Sequence, residues 1–145
     1  MMNLTEHFTL EELTHSDSAL RNGWENIPNE QEIQNLTRLA GLLEQIRTKL
    51  GKPIHINSGF RSKLVNDSVG SKDSSQHRIG CAADIKIPEM TPKQVCEAIK
   101  ASGIQFDQLI REFDSWTHIS VTNHAGETPR NQMLIIDKTG TRSYS

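Results

Sequence analysis

Hydrophobic residues along the chain fall into a helical rhythm in some stretches and an alternating rhythm in others. The clearest helical run is Glu30–Leu50, where Ile33, Leu36, Ala40, Leu43, Ile46 and Leu50 recur at helical spacing and share one face. Asn29 precedes it and Glu32 follows three residues later, a capping box that serves the free N–H groups at the helix start; Gly51 and Pro53 stop it. A second helix opens at Thr91-Pro92-Lys93-Gln94, with a capping Thr, Pro at the first helical position and Gln at the third, and runs to about Ala101 before Gly103. A shorter one follows Thr9, with Glu12 completing the box and Phe8 placed to staple onto Leu13. Lys63–Val69, closed by Gly70, reads as one more. Ser16–Pro28 lacks a period and reads as a loop from which Trp24 packs back on the core.

Alternation marks the strands. Ile54–Asn57 is one; Cys81–Ile87 is another, with Cys81, Ala83, Ile85 and Ile87 facing one way and Ala82, Asp84 and Lys86 the other. Gln108–Phe113 and Trp116–Val121, joined by a tight Asp114-Ser115 turn, predict a hairpin. Met133–Asp137 is a last strand, before a Thr-Gly turn and a tail. Helices come first and strands mostly later, which predicts an α+β fold: an antiparallel sheet with flanking helices. At 145 residues, with no repeat, low-complexity tract or linker, one domain over 1–145 is expected.

Composition narrows the function. Lys and Arg number 16 against 18 Asp and Glu, a formal charge of −2. Without a basic excess, neither nucleic acid nor an anionic membrane is an expected partner. No apolar run approaches the roughly 18 residues of a membrane span. Met1–His7 has no basic region leading into an apolar stretch, so it does not read as a secretory signal and synthesis in the cytoplasm is expected. Two cysteines, Cys81 and Cys96, make neither a disulfide framework nor a four-cysteine zinc site. Six histidines are more than packing needs.

Two of them stand out. His77 lies in Ser75-Gln76-His77-Arg78-Ile79-Gly80, just ahead of a strand that carries Asp84 between Ala83 and Ile85. A carboxylate buried there must be paired or bind a metal. His118 is a polar ring in a strand, on the face of Trp116 and Ser120. Two histidines and one aspartate can supply three protein ligands to zinc and leave a fourth position open, as catalytic zinc sites do; calcium or magnesium would call for more oxygens. A strand histidine hydrogen-bonded to a carboxylate accounts for the same residues without metal. His55, on its alternating strand, could orient a ligand or be a satisfied strand histidine. His7, His15 and His124 look incidental, and Cys81 reads as a small core filler.

Ser75-x-His77-x-x-Gly80-x-Ala82-x-Asp84, followed by Trp116-x-His118, resembles the zinc D-Ala-D-Ala carboxypeptidases of the M15 peptidase family, which share their fold with the hedgehog signalling domain. Ser58-Gly59-Phe60-Arg61-Ser62 resembles that family's Ser-Gly-Tyr-Arg-Ser turn, with Phe60 in place of the tyrosine. Glu6–Leu13 resembles the opening of the short M15 proteins of bacteriophages and prophages. The resemblance runs from Leu4 to Gly140. It implies one zinc per chain on His77, Asp84 and His118, with Arg61 near the metal to bind or polarise substrate and Ser75 orienting the loop or contacting substrate. It implies hydrolysis of a peptide bond in peptidoglycan stem peptides at the cell wall, by a carboxypeptidase or an endolysin-type endopeptidase, reached after phage-assisted release or within a virion. A monomer is the expected state.

Such chemistry needs a general base. Many relatives place an acid three residues before the last histidine, where this chain has Ser115. The short phage-type relatives show Glu-Phe-x-x-Trp-x-His, kept here as Glu112-Phe113-Asp114-Ser115-Trp116-Thr117-His118. The resemblance therefore makes Glu112 the catalytic base, with Asp114 as the second candidate. The alternative is a non-catalytic zinc-containing module of the same fold, binding the cell wall or serving in a virion, since fold alone does not fix function. A Glu112 directed at the metal favours the enzyme; a Glu112 directed at solvent favours the module.

Overall fold

The computed structural model describes residues 2–144. Five helices, α1 (Leu10–Thr14), α2 (Asp17–Asn22), α3 (Glu30–Leu50), α4 (Lys63–Ser68) and α5 (Pro92–Ser102), accompany six strands, β1 (His55–Ser58), β2 (Ala82–Lys86), β3 (Gln108–Glu112), β4 (Trp116–Ser120), β5 (Gln132–Asp137) and β6 (Gly140–Ser143). The strands form one sheet in the order β1-β2-β4-β3-β5-β6. Capping boxes at Thr9, Asn29 and Thr91 start α1, α3 and α5 as the sequence leads one to expect.

The sheet is two-faced. Ala83, Ile85, Leu109 and Ile119 project into a core built with Leu36, Leu39, Leu43 and Ile46 of α3 and Val95, Cys96 and Ile99 of α5. The other face carries the polar row. Asp84 pairs directly with His118, and His118 with Ile110 across the next strand. Residues directly opposite in an antiparallel pair hold their Cβ atoms about 4.5–5.5 Å apart, so strand register alone brings Asp84 and His118 together.

Four features depart from the sequence expectations. Ser16 and Gly23 bound a short helix, α2, in the stretch expected to be loop; Ser16 Oγ accepts from the Ala19 N–H, and Gly23 closes it in the left-handed region. Trp24 is half-buried outside the main core. The tail forms β6, antiparallel to β5. Finally, the sheet is mixed, because β5 runs parallel to β3. β4 ends beside the start of β3, and the 121–131 connection stays at that end: the Asn131 N–H donates to Phe106 O and the Gln132 N–H to Asp107 O. The chain therefore enters β5 in the same direction as β3. Among the described residues no helix is long and apolar enough to cross a membrane.

Candidate metal centre

The site is assembled where α1, the β1–α4 turn and a short 3-10 turn (Gln76–Ile79) meet the polar face of the sheet. Gly59 makes the first contact possible. A Cβ there would lie 2.4 Å from Leu13 O, so no side chain fits while Phe60 N–H donates to that same carbonyl at 2.7 Å. The Gly59 carbonyl then accepts from His77 Nδ1 at 2.8 Å. Gly80 ends the 3-10 turn at φ +82°, where a Cβ would meet Glu32 O at 2.8 Å, and swings the chain into β2. Ser75 caps the turn, its Oγ accepting from the His77 N–H. The hydroxyl thus orients the histidine's own backbone.

His77, Asp84 and His118 are all buried, and one ligand atom from each lies within 4.8 Å of the others. His77 Nε2 is 3.3 Å and His118 Nδ1 3.2 Å from Asp84 Oδ1, and the two rings meet edge-on, centroids 5.2 Å apart. A carbonyl only accepts, so the Gly59 contact assigns the proton of a neutral His77 to Nδ1 and leaves the Nε2 lone pair facing the carboxylate. His118 Nε2 is buried with no partner among the described residues. Lone pairs and a carboxylate aimed at one point suit a divalent cation, and the nitrogen–oxygen donor set suits zinc. Burial disfavours the charge of Asp84, but the charge and hydrogen bonds that His77 and His118 supply when they are protonated outweigh it and hold its carboxyl well below the usual range.

Arg61 packs against this group. Its Nη2 donates to Asp84 Oδ2 at 3.4 Å, its Nε to Ser58 Oγ at 3.2 Å and its Nη1 to Asn66 Oδ1 at 3.3 Å. Asn66 is fully buried in α4 and fixed in turn by donating to Lys72 O. These contacts use three of the five guanidinium N–H groups and leave two with no acceptor among the described residues.

The hairpin separates its two acids. β3 ends at Glu112, one residue before the expected boundary, because Phe113 and Asp114 take positive φ values of 52° and 50°. That turn breaks the alternation that would have put residues 112 and 114 on one face. Asp114 swings out to an exposed ion pair with Arg111. Glu112 stays on the site face, its Oε1 3.8 Å from His118 Nδ1 and its side chain 18% exposed. Burial, and then the charge of Asp84, push the Glu112 carboxyl above the ordinary glutamate value against the opposing pull of His118 and Arg61.

Other candidates lie elsewhere. His55 is exposed, paired across from Lys86 at the far end of β1. His7 bonds Glu44, and His15 bonds Asp17. Cys81 is fully buried, and burial pushes its thiol up to about 11, which disfavours the thiolate. Sequence reading missed Ser58 and Asn66 as supports of Arg61; a lone Asn inside a short helix carries no local signal of its partner.

A family model described as Peptidase M15 matches residues 6–120, a span that holds every residue of the site. No curated protein matches the chain.

Proposed function

Because the chain belongs to the peptidase M15 family, we propose that it is a zinc peptidase, one domain over 1–145, that hydrolyses a peptide bond in the stem peptides of bacterial peptidoglycan. The observation that carries this reading is the convergence of His77, Asp84 and His118 with the half-withdrawn carboxylate of Glu112 beside them. His77 through Nε2, Asp84 through its carboxylate and His118 through Nδ1 would hold the ion. Zinc bound there acts as a Lewis acid that acidifies water and polarises a carbonyl.

The chain's own groups do the rest. Glu112 takes the proton of the attacking water and returns it to the leaving amine; a carboxyl pushed above its ordinary value is better matched to both steps than an exposed one. The free N–H groups of Arg61 face the anion, either the terminal carboxylate of the substrate or the oxygen that gains charge as the carbonyl is attacked. Ser75 holds the His77 turn in shape. The place of work would be the cell wall.

The test is zinc content of the purified chain together with digestion of peptidoglycan and mass spectrometry of the products. Expected are one zinc per chain and cleaved stem peptides, with loss of cleavage on chelation. Release of a terminal D-Ala marks a carboxypeptidase, and internal cuts mark an endopeptidase. Zinc with binding but no cleavage would favour the non-catalytic module.

A further inference from the structure

Gln76 is the residue immediately before His77, and its side chain goes the other way. It is 8% exposed, and its Nε2 lies 3.0 Å from Asp107 Oδ2, 3.0 Å from Val121 O and 2.8 Å from Asn123 Oδ1. An amide nitrogen has two hydrogens, so these acceptors share them. The same orientation leaves Gln76 Oε1 buried with no partner among the described residues. A buried orphan of this kind is uncommon, and here it accompanies three good contacts on the donor side.

What lies behind Gln76 is also fixed. Asp107 accepts from Arg130 Nη2 at 2.6 Å and Nε at 3.0 Å, a two-pronged contact, and from the Arg130 backbone N–H at 3.2 Å. Burial opposes the Asp107 charge, but the Arg130 contacts outweigh it and keep the carboxyl below its ordinary value. Arg130 itself is half-exposed. The chain of contacts runs from Arg130 through Asp107 and Gln76 to the 3-10 turn that carries His77.

That turn needs an outside anchor. A single 3-10 turn is weakly held by its own hydrogen bonds. Gly59 O fixes the His77 ring, and Gln76 fixes the turn's other side. Val121, whose carbonyl Gln76 grips, follows His118 by three residues along the same segment. The main chain repeats the tie: Cys81 N–H donates to Gln76 O, and Val121 N–H to Cys81 O, both at 2.9 Å. Gln76 thus joins the segment bearing one candidate ligand to the segment bearing another.

We propose that Gln76, braced by Asp107 and Arg130, is a positioning residue that sets the separation of His77 from His118 and so the affinity and geometry of the metal centre, an inference that rests on the zinc reading of that site. Groups that orient metal ligands from behind typically change metal affinity about 10- to 100-fold when removed.

The experiment measures zinc affinity by chelator competition, and the visible spectrum of the cobalt(II)-loaded chain, for wild type, Gln76→Glu, Gln76→Leu, Arg130→Ala and Arg130→Lys. Ile46→Val, in the buried core of α3, serves as a stability control. Melting of each metal-free chain is recorded alongside. Gln76→Glu keeps the shape but replaces a donor by an acceptor among three acceptors. It is expected to bind zinc about 10- to 100-fold more weakly and to shift the cobalt bands. Arg130→Ala, acting through Asp107, should lose about three- to tenfold, with partial recovery in Arg130→Lys. Ile46→Val should lower melting without moving affinity or spectrum. Wild-type affinity and spectrum in Gln76→Glu overturn the positioning role while leaving the zinc reading in place. If the Gln76 variants do not fold, Arg130→Ala decides in the same way: unchanged affinity overturns the role. A wild-type chain that binds no zinc removes the metal reading and the role together.

Discussion

Asp107 and Asp84 are both withdrawn from solvent, at 5% and 8% exposure, but the contacts they receive differ in kind. Asp107 takes a fork from Arg130, with its shortest prong at 2.6 Å, and an amide N–H from Gln76 at 3.0 Å. Asp84 has Arg61 at 3.4 Å and two histidine nitrogens at 3.3 and 3.2 Å. Short charge-assisted bonds complete a buried carboxylate. Three long contacts, two of them from nitrogens that can present lone pairs, leave one with capacity to spare. Burial by itself therefore does not distinguish a satisfied acid from one with room for a further partner; the length and polarity of the surrounding contacts do.

The largest test of that distinction is removal of each acid. Asp84→Ala should abolish stoichiometric zinc binding and hydrolysis, because two remaining protein ligands rarely hold zinc as a stable site. Asp107→Asn should still take up one zinc per chain on reconstitution, with affinity lowered about three- to tenfold through Gln76 and not abolished. Metal analysis after reconstitution of both variants checks this, and equal zinc loss in the two would erase the contrast.

Next in size is the hairpin pair, where one acid faces the centre and the other faces solvent. A general base contributes roughly 10²–10⁴-fold. Glu112→Gln should lower kcat by about that factor with zinc retained. Asp114→Asn, which gives up only an exposed pair with Arg111, should change kcat little. Turnover on one cell-wall substrate, with zinc assayed in each sample, decides. A dead Asp114→Asn beside an active Glu112→Gln would reverse the assignment.

Arg61 comes third. Arg61→Lys keeps the charge but loses the planar fork that reaches Ser58, Asn66 and Asp84 together. The expected fall in kcat/KM is about 10- to 100-fold, or about 1.4–2.7 kcal/mol. Equal kcat/KM in the two chains would make Arg61 a turn residue and nothing more.

Much of this arrangement is legible along the chain, and the limits are physical. Asn29, Glu32 and Gly51 bound α3 because capping is a local matter, decided within one turn. The faces of β2 are readable because side chains alternate, and an Asp on an otherwise apolar strand then stands out. α2 escapes because six residues are too few to show a period, although Ser16 is its start signal and Gly23 its stop signal. β6 escapes because Gly140–Ser143 is exposed along its length and so shows no buried face. The choice between Glu112 and Asp114 rests on positive φ at two non-glycine residues, which composition does not announce. Gln76 and Asp107 are 31 residues apart, and no local pattern in either stretch points to the other.

The smallest effect separates the two aspartates by stability instead of chemistry. Asp107 has its carboxyl held below the ordinary value by Arg130. A group depressed in the folded state contributes stability that is present above its unfolded value, about 3.9 for aspartate. That contribution is lost as the pH falls through the folded value. Asp107→Asn removes the charge and should cost about 1.5 kcal/mol at neutral pH, the low end for bonds to charged groups because Arg130 is half-exposed. The gap between wild type and variant should stay level from neutral pH to about pH 5 and then close as the pH drops below about 4. Urea unfolding of the metal-free chains across that range measures it. A gap that widens on acidification would mean that Asp107 is not held charged by Arg130. Asp107 would then be no better served than Asp84, and the brace behind Gln76 would lose its anchor.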